Sequence, residues 1–503
     1  MPAARPGGGR RALSFRTAVA ALGGIGALGC DVTPPTPPEP PVPTHPTAAS
    51  VVLAPSDTAL IEGEAALLVA TVRDSAGDLL TGHAVHWGVF PQGIVALSDE
   101  GAVRALALGT ARVVAEADGH ADTAAVDVRI RFRALSAGAA HTCGVTTLGS
   151  TYCWGLNLEG RLGNGTVRSS AIPTRTAIIS ALVQLSAGWE ITCGLTTTRP
   201  ACWGSNRSGQ LGSISKDDAL RPVVVVNDPG LATIATYAMH TCGIGGEDAQ
   251  AYCWGANWAG QLGDGDVGGR WPHPTVGDLA FVALDVGWLH TCAVASTGHA
   301  YCWGSNHLGQ LGRPDAPEAC TWLDGSPMPC ATVPVAVAGD FVFDTVAVGA
   351  AHACALTGDG EAYCWGDNAA GQLGTGSTAR AYAPVPVAGG LRFTMISAGD
   401  RHSCALDADG IAWCWGDAGA GALGRTTVPE TCGGRPCSTV PRAVELSLRF
   451  TRVTASRGGT GMHTCGLATD GVAYCWGSNA RGQLGVGVVP TQSAVPLRVY
   501  GQP

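Results

Sequence analysis

Trp203-Gly204-Ser205-Asn206-Arg207-Ser208-Gly209-Gln210-Leu211-Gly212 follows Cys202, and a version of it returns along most of the chain. The landmark Cys-Trp-Gly begins at Cys153, Cys202, Cys253, Cys302, Cys364, Cys414 and Cys475, with spacings of 49, 51, 49, 62, 50 and 61. In six copies Trp-Gly leads into an Asn-bearing turn that closes on Gly-(Gln/Arg)-Leu-Gly; the sixth copy carries Ala418 for the Asn and Ala422 for the Gln. A second cysteine precedes each landmark: Cys143, Cys193, Cys242, Cys292, Cys354, Cys404 and Cys465. Between the two sit tight-turn dipeptides such as Asp359-Gly360, Asp409-Gly410 and Asp470-Gly471, where Gly accepts positive φ. Self-similarity at such a period marks a repeat architecture.

Joined as Ala-Gly-x-x-His-(Thr/Ser/Ala)-Cys followed by Tyr-Cys-Trp-Gly-x-Asn-x-x-Gly-Gln-Leu-Gly, the unit resembles the regulator of chromosome condensation repeat across 131–503. The resemblance implies a seven-bladed β-propeller, one blade per copy. Internal copies run from a Pro-x-x-Val strand (Pro384-Val385-Pro386-Val387) through an aromatic strand (Leu391-Arg392-Phe393) to the histidine strand. The first copy starts at Arg131-Phe132-Arg133 and the chain closes on Val495-Pro496-Leu497-Arg498-Val499, so the two ends are expected to complete one shared blade.

Composition agrees with an all-β chain: 14% charged residues and 72 glycines favour short strands and tight turns over solvated helices. The formal net charge is −9, and residues 1–29 hold four Arg without an acid, so the remainder is more acidic still. Nucleic-acid binding, which needs a concentrated basic surface, is disfavoured.

The N-terminus reads as an address. A basic stretch, the apolar run at 17–29 and Ala27-Leu28-Gly29-Cys30 resemble a bacterial lipoprotein signal, with Cys30 as the lipid attachment site. The pattern departs at Ala27, where Leu is usual, and the alternative is an ordinary secretory signal with a free Cys30. Arg10-Arg11 lacks the flanking residues of a twin-arginine signal. The segment 30–48 is a proline-rich linker, extended and semi-rigid. Residues 49–130 alternate in short strands and resemble a bacterial Ig-like domain of group 2, through Val85-His86-Trp87, Gly101-Ala102-Val103-Arg104-Ala105 and Gly109-Thr110-Ala111. The expected fold class is therefore all-β: a seven-bladed β-propeller with an N-terminal Ig-like β-sandwich.

Nineteen cysteines point to an oxidising compartment. The seven intra-repeat pairs, with Cys320/Cys330 and Cys432/Cys437, leave only Cys30 over. Antiparallel neighbours bring facing Cα atoms within disulfide reach. Zinc held by His-x-Cys is the alternative, against which each repeat offers its own regular pair and no Cys-x-x-Cys occurs. His141, His240, His290, His352, His402 and His463 share one repeat position, with Ile191 in the second copy. They read as hydrogen-bonding groups to backbone within or between blades, or as a ring for an anion or metal. Trp189 and Trp288 are assigned to packing or ligand contact. No Ser-His-Asp order, paired-carboxylate motif or phosphate loop recurs, so no catalytic residues and no cofactor are expected.

Both long spacings are read as insertions after Leu-Gly and before Pro-x-x-Val, each with a cysteine pair. They are expected to project from one face, with Trp322, Asp324, Met328, Glu430 and Arg435 as contact candidates. The function expected is a non-enzymatic scaffold at the cell envelope: exported, monomeric, bound to the membrane only through its lipid, and presenting a protein- or glycan-binding face. The rival is guanine-nucleotide exchange on a small GTPase, which the resemblance implies for the namesake. A third reading, hydrolysis at the hub, lacks candidate residues.

Overall fold

The structure, a computed structural model, describes residues 46–503 apart from 179, 269–270, 323, 460–461 and 488–489. The signal at 1–29, Cys30 and nearly all of the linker at 30–48 lie outside the described residues.

Among the described residues, seven antiparallel sheets follow one another, each built from a contiguous stretch of chain. Blade 1 orders Phe132–Ala137, His141–Thr146, Thr151–Gly155 and Ser170–Arg175; blade 7 orders Phe450–Ala455, His463–Ala468, Ala473–Ser478 and Gln492–Arg498. The expected sharing of one blade between the chain ends does not occur, because Gln492–Arg498 pairs with Ala473–Ser478 of its own blade. The reason is local. Only residues 138–140 join the aromatic strand to the histidine strand, a turn too short to leave the sheet, so the aromatic strand opens a blade and the Pro-x-x-Val strand ends one.

Burial follows this order. The second and third strands of blade 1 are buried at every position, since a neighbouring blade covers each face, whereas the fourth strand is largely exposed. Apolar clusters fill every junction between successive blades. At the seam, Ile130, Phe132 and Trp154 pack with Leu467, Leu484 and Val499, so blade 7 meets blade 1 through side chains. The seven tryptophans of Cys-Trp-Gly have no exposed surface. Each contributes about 4–6 kcal/mol of apolar burial as an upper bound.

Residues preceding the propeller form three small sheets around a single core that includes Leu53, Leu68, Val103, Val113 and Val126. Asp57–Ile61, not anticipated from the sequence, pairs parallel to His120–Arg129. This module packs on blade 1. Thr146 donates from Oγ1 to the buried carboxylate of Glu62 at 2.9 Å, and the Leu108 amide donates to the Tyr152 hydroxyl at 3.1 Å. The Ile130 amide donates to the Gly501 carbonyl at 2.9 Å, tying the module's end to the chain's last turn.

Candidate functional site

The propeller has two unlike faces. On one lie the turns between second and third strands, such as 147–150, and there the N-terminal module sits: a Cβ on Gly63 would run into the Leu148 side chain. On the other lie the turns between first and second strands and the Asn-bearing loops after Trp-Gly; the Leu156 amide, for example, bonds the Ala140 carbonyl at 2.8 Å. This second face carries both insertions.

The insertions are hairpins that add a fifth strand to blades 4 and 6: Glu318–Thr321 against Pro327–Ala336, and Glu430–Cys432 against Arg435–Ala443. Cys320–Cys330 and Cys432–Cys437 cross them with Cα atoms 5.7 Å apart. The other seven pairs, Cys143–Cys153, Cys193–Cys202, Cys242–Cys253, Cys292–Cys302, Cys354–Cys364, Cys404–Cys414 and Cys465–Cys475, join second to third strands at 4.0–4.1 Å.

The five contact candidates fare differently. Met328 is 1% exposed and is no contact residue: its thioether accepts from Ser305 Oγ at 3.1 Å and packs under Trp322 with Leu289 and Cys330. Alternation along the hairpin strand turns it inward. Trp322 is half-buried, its ring edge-on to His307 at 5.1 Å. Asp324 is exposed but holds the turn, accepting from the amide and hydroxyl of Ser326 at 2.9 and 2.7 Å; the hydroxyl bond leads the interactions that keep its carboxyl below the usual range. Glu430 braces its own blade through the amide and hydroxyl of Thr439, at 2.7 and 2.6 Å. Arg435 remains exposed, 3.9 Å from the buried Asp417.

The shared histidine position forms latches between blades, made to side-chain hydroxyls rather than to the backbone. Nε2 lies 2.8–3.0 Å from the hydroxyl one blade on in His141–Thr192, His240–Thr291, His352–Ser403, His402–Thr464 and His463–Thr142. Each hydroxyl in turn donates to the carbonyl that precedes Leu-Gly in the loop after Trp-Gly, as Thr291 does to Gln261 and Ser403 to Gln372, both at 2.9 Å, and Thr464 to Ala422 at 2.8 Å. With the hydroxyl proton so directed, the imidazole must donate from Nε2–H. Burial pushes His240, His290 and His402 down to about 3 and His352 to about 4. These rings are neutral and away from solvent. Among the described residues no group of three or more His, Cys, Asp or Glu is placed to hold a metal.

The hub holds contacts that the repeat pattern does not announce. Blade 7 joins its first two strands over 456–462, where blade 1 uses only 138–140, so part of the long sixth spacing belongs here and not to the insertion. From this turn Arg457 crosses the central channel to blade 4, donating to both carboxylate oxygens of Asp285 at 2.6 and 2.7 Å and to the Thr236 carbonyl at 2.9 Å. The channel, about 400 Å³, is lined by the first strand of every blade. Beside it, Tyr237 donates to Asp400 at 3.3 Å, and burial raises the Asp400 carboxyl. Trp189 and Trp288 meet edge-on at 6.3 Å on the same rim, with Trp288 38% exposed. The signal was available: the blade 6 hairpin is shorter than that of blade 4, yet the two spacings nearly match.

The repeat profile described as regulator of chromosome condensation (RCC1) matches residues 149–195, 297–356 and 359–406, and a second profile of that description matches 132–161, 281–310, 343–372, 394–421 and 463–483. The chain carries RCC1 repeats. Its RCC1 repeats are 29% identical over 257 residues to the ultraviolet-B receptor UVR8 of Arabidopsis thaliana, covering 50% of this chain and 56% of the receptor. They are 28% identical over 274 residues to the E3 ubiquitin-protein ligase HERC2 of Mus musculus, covering 50% of this chain and 5% of the ligase. The chain thus spans about half of the first relative's length and a small part of the second. Among solved structures, Prp20p of Saccharomyces cerevisiae superposes with TM-score 0.61 at 21% identity, covering 74% of this chain and 87% of that one. Human WBSCR16 gives 0.58 at 20%, covering 70% and 93%. These likenesses establish an RCC1-like propeller fold.

Proposed function

We propose that the RCC1-repeat propeller is a non-enzymatic binding scaffold, exported, tethered to the cell envelope through a lipid on Cys30 and a proline-rich stalk, with the module at 49–130 as an Ig-like base. The observation that carries this reading is the division of labour between faces. The N-terminal module occupies one; the two braced hairpins, the Trp189–Trp288 pair and the hub turn share the other. Braced loops with half-exposed aromatics can meet a partner with little ordering cost. A protein partner is favoured, since the crystal study of Prp20p names binding to Gsp1p and histones.

The test is capture of envelope proteins on the full chain, repeated with the 313–333 loop shortened and with Trp288→Ala. Capture that both changes leave intact refutes the face assignment. Guanine-nucleotide exchange is the competing reading, and finding the mature chain in the cytosol with free thiols would favour it.

A further inference from the structure

Two cavities on the loop face join into one groove across blades 2 and 3. The inner, about 200 Å³, lies beside the hub against Trp189, Glu190 and Met239; the outer, about 460 Å³, runs past Lys216 to Trp258. Arg207 and Ser208 belong to both. Arg207 and Lys216 are exposed and form no ion pair among the described residues, and Lys216 is the sole lysine of an acidic chain. Glu190, by contrast, faces Arg161 at 3.8 Å.

The amide side chains of the groove are committed to their own loops. Asn206 accepts from the Leu211 amide at 3.0 Å and donates to the Ser215 carbonyl at 2.7 Å; Asn257 accepts from Leu262 at 2.9 Å and donates to Asp266 at 2.8 Å. Gln210 accepts from the Ser208 amide at 2.8 Å. A hydroxyl-rich glycan would need such groups free. What the groove does offer is two cations set between two indoles and a thioether.

Resting on the reading of this face as a protein-binding surface, we infer that the groove takes an extended acidic segment of the partner. Its carboxylates meet Arg207 and Lys216, and its apolar side chains lie on Trp189, Met239 and Trp258. Charge complementarity of this kind sets specificity and speeds encounter in an otherwise acidic protein.

The experiment uses the full, unreduced chain and a fluorescein-labelled decapeptide of alternating Glu and Leu, followed by anisotropy at low and high salt. A Lys–Leu decapeptide is the control, and an oligogalacturonate is the competitor. The Glu–Leu peptide is expected to bind, the joint change Arg207→Glu and Lys216→Glu to weaken it at least about tenfold, and salt to weaken it several-fold. Both residues are exposed and unpaired, so melting of the double variant should match the parent. Unchanged affinity in that variant, equal binding of the Lys–Leu peptide, or displacement by the oligogalacturonate overturns the inference. Envelope-protein capture that survives the charge reversal but not hairpin shortening overturns the groove alone and leaves the face assignment standing.

Discussion

Placing a hydroxyl at position 353 should stabilise the ring. At the junction of blades 4 and 5 the latch is missing its acceptor: His290 lies where the other histidines do, but the next blade offers Ala353 where they find Thr or Ser. Its Nδ1 and Nε2 have no hydrogen-bond partner among the described residues, with only the His352 backbone nearby. Ser403 meets His352 at 2.9 Å from the equivalent position one blade on, so the site accommodates a serine. Ala353→Ser should therefore add a bond from His290 and one to the Gln310 carbonyl, about 1–2 kcal/mol net. With an unfolding entropy of about 2.1 cal/mol/K per residue over a folded body of roughly 460 residues, the melting temperature rises by about 1–2 °C. Thr291→Ala, which strips the same latch from His240 and Gln261, should lower it by a similar or larger amount. Scanning calorimetry of unreduced protein at pH 7.5 resolves both. If Ala353→Ser melts at or below the parent while Thr291→Ala melts with it, the latches carry no net energy and the reasoning fails.

Acid should unfold the propeller. The buried histidines have folded values depressed below the ordinary 6.5, so their neutral form contributes stability that is complete above pH 6.5 and is lost as pH falls toward 3–4, at about 1.4 kcal/mol per unit for each. Circular dichroism between pH 7 and 3 should show a cooperative loss, and a flat profile would count against it. Gly163→Ala should cost about 1–3 kcal/mol, because its φ is +65° and a Cβ would come 2.7 Å from Trp203 Nε1; a denaturant midpoint equal to the parent's would refute this. Arg457→Met should cost about 3–5 kcal/mol by leaving Asp285 buried and unpaired, with Asp285→Asn added to the variant recovering part of it. If the double variant melts below the single one, the pairing has been misjudged. Reduction of the intra-blade disulfides should lower the melting temperature, each closing a loop worth about 3 kcal/mol in the chain-entropy account.

The blade count, the cysteine pairs and the position of both insertions were legible from the sequence by itself, because they are local. Partners such as Cys354 and Cys364 stand ten residues apart across one hairpin, and the turn glycines between them report a backbone that any hairpin would need. Tertiary structure alone decided the rest. Arg457 meets Asp285 across 172 positions, five of the six shared histidines meet a hydroxyl one blade away, and Met328, read as exposed, turns inward under Trp322. The ends of the chain do not share a blade, although their motifs suggested it, since strand order depends on which turn is too short to leave its sheet. A repeat prescribes the contacts within each copy. Contacts between copies exist only once the ring has closed and brought distant turns over a common hub.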